Sequence, residues 1–129
     1  MTIGRAMNLA ASGMHAERLR MDVTSANIAN ANSMRTPFQD AYRRQVVVLS
    51  GSPETGVKVE SIEADQSELR QVHDPGNPNA IGGIVYYSNV DPIKEMVNMM
   101  TANRAYEANI AAFNAAKGMS RSALSIGKV

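Results

Sequence analysis

The sequence contains no cysteine and no tryptophan, and only 5% of its 129 residues are aromatic. Without cysteine, the chain has no disulfides, no thiolate metal ligands and no thiol nucleophile. No stretch approaches the ~18 consecutive apolar residues that a membrane-spanning helix requires. The formal net charge of +1 is too small for the whole chain to be attracted to nucleic acid or to an acidic membrane. We therefore expect no nucleic-acid partner and no membrane insertion.

Apolar residues nevertheless make up 44% of the chain, and 18 alanines and nine methionines supply much of that share. Such side chains form thin, adaptable packing surfaces rather than one bulky core. Charge divides the chain into three parts, with sums of +3 over residues 1–44, −4 over 45–90 and +2 over 91–129. The two ends therefore resemble each other and differ from the middle.

Residues 3 to about 32 contain no proline and predict one long helix with two apolar stripes. The first stripe has a heptad-like spacing and comprises Ile3, Met7, Ala10, Met14, Met21 and Ile28. The second, on the roughly opposite side, comprises Leu9, Ala16, Leu19 and Val23, with Asn27 and Asn30. A surface helix of a monomer normally buries a single stripe, so the second stripe leaves open which segment or molecule covers it.

Residues 91–127 predict a second long helix, in which Asp91 is the N-cap and Pro92 occupies the first turn. Its large apolar residues form one seam, namely Met99, Tyr106, Ile110, Phe113 and Leu124. A smaller second face comprises Ile93, Val97, Met100, Ala111 and Ala115. The two helices are long enough to pair antiparallel and so to close the chain on itself.

The middle of the chain changes from helical to strand periodicity. Thr36–Pro37 ends helical geometry. Strands are predicted at residues 42–49 and 57–62, and shorter ones at 69–73 and 84–87, with loops at 51–56, 74–79 and 82–83.

These elements predict a mainly α protein with a small β module, in which the terminal helices pair antiparallel as a coiled-coil-like bundle. Three segments follow: an N-terminal helix over 1–35, an extended middle module with a small β-hairpin over 36–90, and a C-terminal helix over 91–129. The first and third segments together would form one helical domain.

Few residues offer chemistry. His15 and His73 are far apart and show no metal-ligand spacing. His73 and Asp74 form a conceivable acid–base pair, but the absence of a nucleophile motif favours a solvated loop. We therefore predict no catalytic residue, no cofactor and no metal.

The asparagines of the run SANIANAN, residues 25–32, are unusual because they lie among small residues where a helix ends. Asn27 and Asn30 either terminate the helix or act as buried amides that set the register between closely packed helices. Periodicity alone gives no reason to prefer one of these two interpretations over the other.

Two terminal motifs resemble those of the bacterial flagellar rod and hook proteins. The first is ASGMHAERLRMD at residues 11–22, which continues into SANIANAN at residues 25–32. The second comprises NVDP at residues 89–92, Glu95–Met96 and ANRAYEAN at residues 102–109, which are similar to the closing helix of that family. The short length and the DPGNP loop at residues 74–78 indicate a proximal-rod subunit, because distal-rod and hook proteins have a much larger middle.

The resemblance implies a structural subunit without enzymatic activity. Proteins of this family pass unfolded through the flagellar type III export apparatus and assemble with other rod proteins into the rod that crosses the periplasm. Their terminal helices form the inner wall of a hollow helical tube, so the resemblance implies that neighbouring subunits cover the second stripe of each helix. The chain is thus expected in the basal body, made in the cytoplasm and exported without a cleaved signal; Asn8 and Ser12 interrupt the apolar stretch that such a signal needs.

On this basis we predict an assembly interface on both terminal helices. Its packing residues are Met14, Met21, Ile28, Met99, Tyr106, Ile110 and Phe113, and its register-setting residues are Asn27, Asn30, Asn103 and Asn109. Two other functional hypotheses stay open. One is a soluble helical adaptor that binds a single partner such as an export chaperone, and the other is an enzyme that uses His73 and Asp74.

Overall fold

The computed structural model describes residues 2–128. It contains two long helices, with four strands between them in chain order. In chain order the elements are α1 (Ile3–Ala29), β1 (Gln45–Ser52), β2 (Gly56–Ala64), β3 (Arg70–His73), β4 (Ile84–Tyr87) and α2 (Pro92–Gly127). The predicted fold class, a pair of long terminal helices with a small β module between them, is confirmed. Residues 1 and 129, the outer limits of the predicted segments, lie outside the described residues.

Side chains cap the helices. The Thr2 hydroxyl accepts a hydrogen bond from Arg5 N at the start of α1, and the Asp91 carboxylate accepts one from Ile93 N at the start of α2. The predicted start of α2 is therefore confirmed. The helix α1 ends at Ala29, slightly before the predicted residue 32, because Asn30 N and Ala31 N close the last turn on carbonyls of α1. Neither helix, over the described residues, is long and apolar enough to cross a membrane.

The two helices pack against each other in antiparallel directions. Gly13 lies against Asn109, and Asn27 donates a hydrogen bond to Glu95. Gly13 and Asn27 are 14 residues apart along α1, and their partners Asn109 and Glu95 are 14 residues apart in the reverse order along α2. Because α2 has 36 residues and α1 has 27, the last turns of α2 extend past the start of α1. Leu124, predicted to belong to the large-residue seam, is exposed in this overhang.

The strands form two separate antiparallel hairpins. The longer one pairs β1 with β2, and its register shifts between Val48 and Leu49. The shorter one pairs β3 with β4. The strand β1 begins later than predicted, because the backbone N–H groups of Tyr42 and Arg44 donate to the side chains of Ser33 and Asn89 instead of to a strand.

The β1–β2 hairpin lies along α1 and is bound to it at three points. Arg5 Nη2 donates to Pro53 O at 3.2 Å, Val57 N donates to Ser12 Oγ at 3.0 Å, and Asn27 binds the backbone of Gln45. The hairpin thereby contacts the side of α1 that carries the second apolar stripe. For α1, part of the stripe that was expected to contact neighbouring subunits is therefore covered by the middle of the same chain.

Small side chains dominate the buried core, as the composition suggested. The buried apolar residues are Ala10, Ala16, Ala31, Ala41, Leu69, Val85, Val90, Ala102 and Ala116.

Candidate assembly interface

The predicted packing residues of α2 lie on the side of the helix that faces α1. This side carries Glu95 and Asn109, both of which contact α1. At about 100° per residue, the large-residue seam falls on the same side or on its edge. Its members within the helix pair are all half-buried in the single chain, namely Met99, Tyr106, Ile110 and Phe113.

The predicted packing residues of α1 lie on a flank that the hairpin does not reach. Met14, Met21 and Ile28 are half-buried. By helical geometry they lie about 180° around α1 from Ser12 and the hairpin-facing stripe. A neighbouring molecule therefore has access to this flank.

The four predicted register asparagines divide into two pairs. Asn27 is buried and Asn109 half-buried, and both contact the other helix. Asn30 and Asn103 are exposed, and each donates a hydrogen bond within its own helix, to Ala26 O and to Glu107 Oε1 respectively. Within the chain, Asn27 and Asn109 therefore lie between the two helices, whereas Asn30 is the C-cap residue of α1.

Gly13 and Asn109 form a close contact between the helices. A Cβ atom added at Gly13 would lie 2.7 Å from Asn109 Nδ2. The glycine thus makes room for the amide, and the pair fits only when these two residues are opposite each other. This complementarity is the structural basis for proposing Asn109 as a register residue.

Asn27 connects both helices to the hairpin. It is 1% exposed, and its amide pairs with the backbone of Gln45 as a second strand would, donating to Gln45 O and accepting from Gln45 N at 2.9 Å each. Its Oδ1 also accepts from Tyr42 Oη at 2.8 Å, and its Nδ2 lies 3.3 Å from Glu95 Oε2. Sequence analysis identified Asn27 but not these partners.

Glu95 provides the charge at this junction. Its side chain is 1% exposed and forms an ion pair with Arg44 Nε. The hydrogen bond to Glu95 raises the pKa of Arg44 above its already high value. Burial raises the pKa of Tyr42, and the negative charge of Glu95 adds to that effect. The ion pair between Arg44 and Glu95 holds the residue just before β1 against the first turns of α2.

Asn89 and Asp65 complete the junction. Asn89 Oδ1 accepts from Arg44 N at 2.7 Å, and its Nδ2 donates to Asp65 O at 3.0 Å. The carboxylate of Asp65 lies 3.5 Å from Arg44 Nη1. Its pKa is lowered, mainly by the hydrogen bond from Ser67 N. One polar cluster therefore joins α1, both ends of the hairpin and α2.

Sequence analysis did not identify this cluster. A signal was nevertheless present. Glu95 occupies the same heptad position as Ala102, Asn109 and Ala116, on the stripe of α2 that faces α1. A carboxylate on a buried stripe requires a cationic or hydrogen-bonding partner.

The opposite side of α2 is apolar and uncovered. Ile93 is 73% exposed and Met100 58% exposed, and Met96 and Val97 between them are also exposed. Further along the same side of α2, beyond the charged residues Arg104 and Glu107, Ala111 and Ala115 are exposed as well. We call residues 93, 96, 97 and 100 the outer face of α2. It includes most of the smaller second face predicted from the sequence, and no part of the described chain covers it.

Two family models match the chain. The model described as "Flagella basal body rod protein" matches residues 7–34, which include most of α1. The model described as "Flagellar basal body rod FlgEFG protein C-terminal" matches residues 81–126, which include β4 and nearly all of α2. Both matches fall on the helices that carry the predicted interface.

Curated relatives match over almost their whole length. The flagellar basal-body rod protein FlgC of Bacillus subtilis is 41% identical, over 99% of this chain and 100% of the relative. The FlgC proteins of Borreliella burgdorferi and Salmonella typhimurium are 41% and 39% identical, over 93% and 94% of this chain and 94% and 95% of theirs.

The helix pair and these matches define a structural subunit of the bacterial flagellar basal-body rod rather than an enzyme. The chain belongs to the FlgC family of flagellar basal-body rod proteins. His73 and Asp74, the residues of the enzyme hypothesis, are exposed at the end of β3.

Proposed function

We propose that this chain polymerises through its terminal helices, with copies of itself and with other rod proteins, into a helical tube. The tube transmits torque and continues the export channel. The observation that carries the proposal is the outer face of α2, which presents four large apolar side chains that the chain itself does not bury. The half-buried flank of Met14, Met21 and Ile28 provides a second candidate surface.

The energetics of these surfaces favour association. Burying one large aliphatic or methionine side chain contributes about 1.5–3 kcal/mol. The outer face of α2 and the methionine flank of α1 lie on different parts of the molecule, so a contact between them would be heterologous. Heterologous contacts that do not close into a ring generate open helical assemblies.

Export through the flagellar type III apparatus, without a cleaved signal, belongs to the same proposal. The module between the helices is small, and the helix pair buries mostly alanine, so unfolding for passage has a modest cost. The absence of cysteine means that no disulfide holds the chain folded on the way. The final location would be the rod between the inner membrane and the hook.

The test compares two neighbouring residues of α2. Met100→Asp places a charge on the outer face, whereas Thr101→Asp places one on an exposed position about 100° around the helix. Basal bodies extracted with detergent and washed are analysed by quantitative mass spectrometry. We expect the Thr101→Asp variant to be present in the same ratio to other rod components as the unmodified chain. The Met100→Asp variant should be depleted, although both variants should give the same circular dichroism spectrum. Normal incorporation of Met100→Asp would contradict the proposal.

The same measurement addresses the adaptor hypothesis. An adaptor would be abundant in the cytoplasm and absent from intact basal bodies. A chain present in a fixed ratio to other rod components excludes that alternative. The predicted interface residues are then tested one at a time by the same incorporation measurement.

A further inference from the structure

Phe38 is the most exposed large apolar residue in the described chain, with 96% of its surface accessible. It occupies the tip of a tight turn together with Pro37. Thr36 N donates to Gln39 O at 2.8 Å, and Gln39 N donates back to Thr36 O at 3.4 Å. The Thr36 hydroxyl also accepts from Gln39 N at 3.1 Å. The phenyl ring therefore projects from an ordered, hydrogen-bonded turn.

The base of this turn is bound to the strand β4. Arg35 N donates to Tyr86 O at 2.8 Å, and the Arg35 guanidinium lies 4.8 Å from the centre of the Tyr86 ring. The same guanidinium bonds Asp40 at 2.8 Å across the turn. A residue held in this way loses little conformational freedom on binding, which is the property of an anchor residue in a protein interface.

The turn and the outer face of α2 lie at the same end of the molecule. Ser88 N, two residues after Tyr86, donates to Ser33 O at 2.9 Å, and α2 begins at Pro92. The outer face occupies the first turns of α2. Phe38 is too exposed to contact this face in its own chain, so both apolar surfaces are free in one molecule.

The two surfaces are chemically complementary. Methionine side chains adapt to the shape of a neighbour and make favourable sulfur–aromatic contacts, and Met96 and Met100 supply two of them. The mutual pairing of Arg35 and Asp40 leaves the turn without net charge. The outer face carries no ionisable residue, so contact would bury no unpaired ion.

We propose that the Phe38 turn of one copy packs against the outer face of α2 of a second copy. This inference rests on the proposed function and specifies which segment covers that face. The contact is heterologous, because turn and face are different surfaces. Each copy consequently keeps one free turn or one free face for the next, which is the condition for an assembly that grows.

The absence of native cysteine allows a direct disulfide test. The variants Gln39→Cys and Val97→Cys leave Phe38, Met96 and Met100 intact, and they are produced together in one cell that assembles flagella. After mild oxidation, basal bodies are analysed without reductant. A disulfide forms only when the two Cα atoms are about 4.4–6.8 Å apart. The matched control pairs Gln39→Cys with Lys117→Cys, an exposed position that lies about 30 Å further along α2 than Val97.

We expect a linked dimer with Val97→Cys and little with Lys117→Cys. The yield with Val97→Cys should be about tenfold lower when Phe38→Ala is added, as for an anchor residue. Equal yields from the two pairs, or no dimer in basal bodies that contain both chains, overturn the inference and leave the proposed function intact. Absence of the chain from basal bodies overturns the proposed function instead. If the cysteine variants do not assemble, Phe38→Ala alone decides, because its normal incorporation also overturns the inference.

Discussion

Asn27 and Glu95 are 68 residues apart in the chain, and their side chains meet at 3.3 Å where α1 and α2 cross the entry of the β1–β2 hairpin. Both are 1% exposed. Each also bonds to the segment that enters β1, Asn27 to Gln45 and Glu95 to Arg44. The contact therefore couples the docking of the hairpin to the pairing of the two helices, so that neither arrangement is complete without the other.

Asn27→Ala should lower the free energy of unfolding by about 2–4 kcal/mol, because the half-buried Gln45 and Tyr42 and the buried Glu95 each lose a hydrogen-bond partner. Asn30→Ala is the matched control, since Asn30 is exposed and bonds only within its own helix. That variant should cost about 0.5 kcal/mol or less. Urea denaturation followed by circular dichroism measures both. Equal costs for the two asparagines would show that Asn27 does not hold the junction together.

Gly56→Ala should destabilise the chain by about 2–3 kcal/mol, because the residue has a φ of +79° and an added Cβ would collide with Ser12 Oγ. Gly51→Ala, at the same end of the hairpin, is the control. Its Cβ would meet only Gly56 O, at an ordinary 3.5 Å. Hydrogen exchange across β1 and β2 reports the difference. Unchanged protection in Gly56→Ala would mean that the hairpin does not depend on its close approach to α1.

Ile110→Asp should abolish incorporation into the rod, because it places an unpaired charge on a half-buried position of a predicted packing seam. The structure adds that Ile110 lies at the edge of the α1–α2 contact, so the variant should also weaken the isolated helix pair. Ile110→Leu retains the apolar surface and is expected to assemble. Motility assays at native expression provide the measurement, and normal swimming of Ile110→Asp would refute the prediction.

Stability should fall in acid through Asp65, whose pKa lies below the ordinary value of 3.8 mainly because of the hydrogen bond from Ser67 N. A carboxyl with a lowered folded pKa stabilises the native state fully above the unfolded pKa. That contribution is lost as the pH falls below 3.8 and through the folded pKa. The difference between urea midpoints at about pH 6 and about pH 3 should therefore be smaller in Asp65→Asn. An unchanged difference would exclude a contribution from Asp65.

The helices were predictable to within a few residues because their determinants are local. Asp91–Pro92 defines the start of α2, and a continuous apolar periodicity without proline defines α1. The strands β3 and β4 were also close to prediction. The start of β1 was not, because Tyr42 and Arg44 bond to side chains from distant parts of the chain. A local pattern carries no information about such partners.

The candidate site was predictable in part. Counting apolar stripes predicted two apolar faces on α2, and one of them, the outer face, is uncovered in the structure. The same count was misleading for α1, where Ser12 and Asn27 bind the hairpin over the second stripe. Periodicity reports that a face is apolar but not which segment covers it.

The sequence by itself determined the two long helices, the absence of disulfides and thiolate sites, and the terminal motifs of a flagellar rod protein, since each depends on residue type and short-range spacing. Only the tertiary structure decided that the hairpin covers α1, that Glu95 is buried beside Arg44 and Asn27, and that Phe38 and the outer face of α2 remain free. The physical reason is that burial and hydrogen-bond pairing depend on contacts between segments far apart in the chain, and those contacts exist only once the helices and the hairpin have packed together.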